Sequence, residues 1–249
     1  MIKSLIFSIL LAACGSNIFK SVDKSDPGED ATVAMENGNP QKAISILEKA
    51  IEDEPENYRY YALLAAAMAQ KYGVSVIQIA LKMGESDEEE EGASDDQAIV
   101  QEEEEEDGDS SSSDVTKLFP VLPVPSDENI DGIKEAIETL GLIPSEELRE
   151  ADVFLLSLLN TAILALRTKT LDTDGDGQLS PVELLDLNED TAVLILEDLI
   201  SASEALAAGG GSGGSEVARE KLEAIQEAIA SQEGETDAER LRNFFNGKQ

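Results

Sequence analysis

The chain has 249 residues, enough for one or two domains, and a formal net charge of −35 from 53 acidic and 18 basic residues. That balance excludes ordinary nucleic-acid binding, which needs a basic face, disfavours adsorption to anionic membranes, and favours divalent cations or basic partners. With no His, no Trp and one Cys, transition-metal sites, Ser-His or Cys-His catalysis and internal disulfides are excluded, and the sparse aromatics argue against carbohydrate or base-stacking grooves.

The chain opens MIKSLIFSILLAAC. Lys3 supplies a short positive region, and Leu5 to Leu11 is an apolar run too short to span a bilayer. Leu11-Ala12-Ala13-Cys14 resembles the lipobox of bacterial lipoproteins. The resemblance implies a signal peptide over 1–13, cleavage before Cys14, lipidation of its thiol, and a tether over 14–28. Gly15, rather than an Asp, follows the Cys. In the lipoproteins that this lipobox resembles, the absence of Asp there implies the outer membrane, so the expectation is an outer-membrane lipoprotein of the bacterial envelope, facing the periplasm or the cell surface. The membrane is then met only through the lipid, each buried CH₂ contributing about 0.8 kcal/mol.

Residues 29–84 are expected to be helical. In GNPQKAISILEKAIEDEPEN, small Ala43 and Ala50 permit close helix approach, Leu47 fills the groove between helices, and Pro55 marks the following turn. Gly38, Ala43, Leu47, Ala50 and Pro55 stand at spacings similar to those of the tetratricopeptide repeat. A 34-residue shift places Tyr61, Leu64, Ala65 and Met68 on the first helix of a second unit, with Val74 to Met83 as its partner helix. The resemblance implies a surface for a protein or peptide partner. Fewer than three such units cannot bury their faces alone, so the rest of the chain or a partner must cover them.

Residues 85–114 are acidic and Ser-rich, with ESDEEEEGASDD and EEEEEDGDSSSSD. Self-repulsion and the scarcity of apolar residues predict a disordered insert. Phe119 to Pro125 is expected to be extended by its prolines. A helical core over 115–208 follows, with helices predicted at 127–140, 146–170 and 181–207. The segment VFLLSLLNTAILAL, Val153 to Leu166, is apolar nearly all round and predicts a central buried helix. Asn160 and Thr161 within it are expected to hydrogen-bond to neighbouring helices.

The sharpest chemistry lies at 172–183, DTDGDGQLSPVE. Asp172, Asp174 and Asp176 project oxygens into one turn, and Gly177 takes a bend that a side chain resists. The spacing resembles an EF-hand calcium loop. The resemblance implies Ca²⁺ held by Asp172, Asp174, Asp176, the Gln178 carbonyl, Ser180 through a water, and both oxygens of Glu183. Leu179, at the eighth position, is apolar and suited to lean on a core. Ser180-Pro181-Val182-Glu183 also fits a capped helix start, so capping and ligation compete for Glu183; the three aspartates favour ligation. Arg167 and Thr168 depart from the apolar pattern expected of the incoming helix. Asp127 to Gly132 with Glu138 fits the bare loop pattern too. There, however, Lys134 at the eighth position, the spacing of Ile130, Ile133, Ile137 and Leu140, and Ser126 as an N-cap favour a plain helix.

A Gly/Ser linker is expected over 209–215, then a C-terminal helical segment over 216–249. Val217, Leu222, Ile225 and Ile229 lie partly on one face there, and Phe244 and Phe245 either anchor a partner or pack on the parent domain. The expected architecture is all-α, with tetratricopeptide-like helical hairpins plus a helical core containing an EF-hand-type loop. The expected function is a calcium-binding, membrane-anchored periplasmic interaction scaffold. No enzyme is expected, because no carboxylate pair stands apart from surface charge. The rival is a solute-binding accessory lipoprotein of a transporter. An apolar cavity between helices with convergent polar groups favours the rival; a filled core and an open groove favour the scaffold.

Overall fold

The structure, a computed structural model, describes residues 26–84, 115–208 and 213–247. Cys14, most of the tether, the acidic insert and residues 209–212 lie outside the described residues. The fold is all-α, with no strand among the described residues. Among the described residues there are ten α-helices: α1 (Pro27–Glu36), α2 (Pro40–Asp53), α3 (Tyr58–Lys71), α4 (Val76–Gly84), α5 (Asp127–Leu140), α6 (Glu150–Lys169), α7 (Pro181–Leu184), α8 (Glu189–Ala208), α9 (Gly213–Ala230) and α10 (Asp237–Asn246).

The end of the expected tether is instead the start of α1. Asp26 is the N-cap, accepting from the Gly28 amide at 2.9 Å, with Pro27 in the first turn. Gly28 is buried against α3, where a Cβ would stand 3.1 Å from Leu63 and 3.3 Å from the Arg59 guanidinium, a tight fit. Arg59 also pairs with Asp26 at 2.6 Å, tying α1 to α3. The Gly28 hydrogen bond and the Arg59 guanidinium together hold the Asp26 carboxyl below the usual carboxylate range.

Helix α2 packs on α1 and α3, and Ala43, Leu47 and Ala50 are buried, as their spacing predicts. The expected second hairpin is bent. After Gly73, whose φ of 81° is the left-handed turn glycine favours, α4 leaves α3 at 88°. The open side of α3 is covered by α5, whose Gly132 lies directly beneath the Tyr72 ring. The apolar surface that two short units cannot bury themselves is thus covered from within the chain, and one continuous core joins both halves.

Ser126 caps α5 by accepting from the Asn129 amide at 3.2 Å. Asp127 to Glu138 is a regular helix, so no second calcium loop forms there. Phe119–Val121 is a 3-10 turn rather than extended chain, and it buries Phe119. Helix α6 begins at Glu150, later than predicted, because Asp152 bonds back to Arg149 through both backbone and guanidinium. Helix α6 is long and apolar enough to cross a membrane, but 67% of its apolar window is buried, as in a core helix.

The polar groups of α6 are satisfied differently from expectation. The Asn160 amide donates to the Leu156 carbonyl, and the Thr161 hydroxyl to that of Ser157, both at 2.9 Å within the same helix. Thr168 does likewise with Leu164 at 2.8 Å, and Arg167 pairs with Asp198 of α8. The two departures from the expected apolar pattern are therefore accommodated, one by back-bonding and one by an ion pair between the most extensively packed helices.

The helix predicted over 181–207 is two helices. The chain breaks between α7 and α8, and the Asn188 side chain starts α8 by accepting from the Thr191 amide at 2.9 Å. The break lets Leu184 and Leu187 both reach the core. Helix α9 begins at Gly213, so the last residues of the expected linker are helical. Leu222, Ile225 and Ile229 are buried, as are Leu241, Phe244 and Phe245 of α10. The two phenylalanines pack on the chain's own core, edge to face with centroids 5.1 Å apart.

Candidate metal centre

The loop 172–183 is held by the elements on either side. Helix α6 delivers Asp172 at its C-terminal end. Lys169, one turn earlier, donates to the carbonyls of Phe119 at 2.6 Å and Leu122 at 3.0 Å. Those bonds pin the incoming helix to the 3-10 turn. Burial pushes the Lys169 pKa down, and Asp172 opposes that shift. Leu179 and Leu184 are buried, so the loop's far end is seated on the core, as predicted for Leu179.

Within the loop, each aspartate folds the backbone around itself. Asp172 Oδ1 accepts from the Gly175 amide at 2.8 Å, and its Oδ2 from Gly177 at 3.1 Å. Asp174 accepts from Asp176 at 3.1 Å, and Asp176 from Gln178 at 2.8 Å. Gly175 and Gly177 have φ of 76° and 86°, the left-handed bend expected at Gly177. The result brings one carboxylate oxygen from each of Asp172, Asp174 and Asp176 within 4.8 Å of one another. An all-oxygen, all-carboxylate set fits a hard cation such as calcium and suits soft metals poorly.

Glu183 stands apart from that trio. Its Oε1 accepts from the Thr173 amide at 2.5 Å and the Asp174 amide at 3.2 Å. Its Oε2 accepts from the Ser180 amide at 2.9 Å and hydroxyl at 2.8 Å. Ser180 in turn caps α7, completing the capping box. Glu183 therefore fastens the start of the loop to its end. Burial raises its pKa, but these donors outweigh it and hold the carboxyl at about 2, below the ordinary 4.5. The Gln178 and Ser180 backbones lie on the loop between the trio and Glu183. The Thr173 hydroxyl, 3.0 Å from Glu183 Oε1, is a partner that the calcium-loop spacing alone does not reveal.

A pH prediction follows from that depressed value. The stability contributed by the Glu183 hydrogen bonds is complete above about pH 4.5 and is lost as pH falls towards 2. In chelator, wild type is expected to be more stable than Glu183→Gln at pH 7, with the difference shrinking below pH 4.5. Denaturant titrations of both proteins across that range check it; a difference independent of pH contradicts the capping role.

Two further residues tie the segment that follows the loop to α10. Arg242 of α10 donates through Nε to the Leu184 carbonyl at 3.0 Å, and through a second nitrogen to the Leu187 carbonyl. Glu189, at the start of α8, accepts from the Asp237 and Ala238 amides at 3.1 Å each. Nothing in the local sequence marks either residue, because both partners lie more than forty positions away. Comparison of the chain with protein-family models, with curated proteins and with solved structures finds no match.

Proposed function

We propose that this is a calcium-binding interaction lipoprotein, anchored to the bacterial envelope by lipid on Cys14 and presenting tetratricopeptide-like helices to a protein or peptide partner. The observation that carries the calcium assignment is the gathering of the Asp172, Asp174 and Asp176 oxygens in a loop seated on the core through Leu179. Asp172, Asp174 and Asp176 are the ligands of this proposal, with the Gln178 carbonyl, Ser180 and Glu183 completing the shell. The ion would supply charge neutralisation and loop order, not reaction chemistry.

The interaction reading is supported by a groove of about 230 Å³ between α1, α3 and the turn into α4. Met35, Ala66, Val74 and Ile77 line its apolar wall, and Thr32, Glu36 and Gln70 stand among them. Its volume is below the roughly 300–1,000 Å³ of small-molecule sites, which supports partner docking over a transporter's solute-binding accessory. No buried side-chain polar atom lacks a partner among the described residues.

Two experiments test the proposal. Mass spectrometry of the mature N-terminus from the native host is expected to find lipidated Cys14 at residue one; an unprocessed Met1 or an unlipidated terminus contradicts the anchor. Purification from native membranes, with calcium and with a chelator, is expected to retain a partner in calcium and lose it in chelator. The same partners in both conditions contradict a calcium-dependent scaffold.

A further inference from the structure

We propose that the C-terminal helix α10 is a latch on the loop, so that cation occupancy and seating of α10 are thermodynamically linked. This rests on the calcium assignment above and adds a regulatory element to it.

The geometry begins with the shortness of α7. A single helical turn has no stability of its own. Its last carbonyls lead into a tightened turn rather than a longer helix: those of Val182, Glu183 and Leu184 accept from the Leu185, Asp186 and Leu187 amides at 3.2 Å, and the chain breaks before α8. Arg242 reinforces that turn, donating to Leu184 O at the end of α7 and to Leu187 O within the break. Glu189 completes the clamp from the other direction, accepting two amides at the N-terminal end of α10. Leu184, Leu187, Leu241 and Phe244 are buried in the same core. Removing α10 would thus uncover Leu184 and Leu187 and take the Arg242 donors away from their carbonyls, next to Glu183.

Glu183 and Ser180 both belong to this one-turn helix or its cap. Seating α10 therefore fixes where the end of the loop stands relative to the three aspartates. A cation that binds the loop more tightly when its end is fixed must, by linkage, strengthen the seating of α10 to the same extent. Arg242 is in this scheme a positioning residue, since it touches the Leu184 and Leu187 carbonyls and not the carboxylate trio.

The test uses the full chain and calcium as the ligand. Calorimetric titration is expected to show calcium affinity lowered on the order of tenfold in Arg242→Ala. Glu189→Gln, whose side chain is exposed, is expected to weaken binding less while keeping the fold. Hydrogen exchange on wild type reads the reverse direction and needs no variant: amides of 237–246 are expected to exchange more slowly with calcium than with chelator. Unchanged affinity in both variants, or unchanged exchange in α10 while calcium binds wild type, overturns the latch and leaves the calcium site standing. Failure of wild type to bind calcium overturns both.

Discussion

Phe244→Ala is expected to lower the unfolding free energy by about 3–5 kcal/mol, the range for deleting a buried aromatic ring. Phe244 is 1% exposed and stacks edge to face on Phe245, so the deletion removes both transfer energy and ring packing. At roughly 2–4 °C per kcal/mol for a chain of this size, the midpoint falls by roughly 6–20 °C. Leu142→Ala is the control: Leu142 is 65% exposed, and its loss should change stability by no more than about 0.5 kcal/mol. Denaturant melts of the two variants decide the matter. A Phe244 variant as mild as the Leu142 variant contradicts the seating of α10 on the core.

The second large effect is expected at Gly132. A Cβ there would stand 2.1 to 2.4 Å from three ring atoms of Tyr72, far inside any tolerable contact. Overpacking of this kind costs about 1–3 kcal/mol, against a gain of about 1 kcal/mol in helix propensity from glycine to alanine. The clash is expected to win because the Tyr72 backbone is itself held, its carbonyl accepting from Asn129 at 2.8 Å. Gly132→Ala should therefore destabilise wild type. In a Tyr72→Ala background the clash is gone, and the same substitution should stabilise. A double-mutant cycle measures the reversal; the same sign in both backgrounds contradicts the close approach of α3 and α5.

The same residue shows what a sequence conveys and what it withholds. Gly132 sits in Asp127 to Gly132, where a calcium-loop pattern supplies one reason for a glycine and an amphipathic helix supplies none. The real reason is Tyr72, sixty positions earlier and invisible to local pattern. Periodicity located α5 and its cap because Ile130, Ile133 and Leu140 face one core. It located α6 because almost every side of that helix is apolar. It missed the break between α7 and α8, since the apolar run continues through Leu184, Leu185 and Leu187, while the Arg242 bonds that reinforce the break come from the far end of the chain. It missed the turn of α4 for a related reason: α5, supplied by a distant segment, covers α3 in place of a returning hairpin helix.

At the loop, the aspartates and the bend at Gly177 were legible because their chemistry is local. The role of Glu183 was not, because one residue type serves both a capping box and a cation. In the structure its two oxygens are engaged with Thr173, Asp174 and Ser180 amides. Under the proposed calcium assignment, the ion would have to compete with, or be accommodated beside, a carboxylate already well satisfied, which favours a modest affinity suited to millimolar calcium.

Thermal unfolding with calcium and with excess chelator measures this directly. A site of about 10⁻⁵ M facing about 1 mM calcium gains about 2.7 kcal/mol by mass action. That corresponds to a rise of roughly 5–10 °C in the midpoint. Wild type is expected to show that rise with calcium and much less with magnesium, while Asp172→Ala and Glu183→Gln lose most of it. A wild type indifferent to calcium, or an Asp172→Ala protein that keeps the full shift, would show that 172–183 is only a turn between helices.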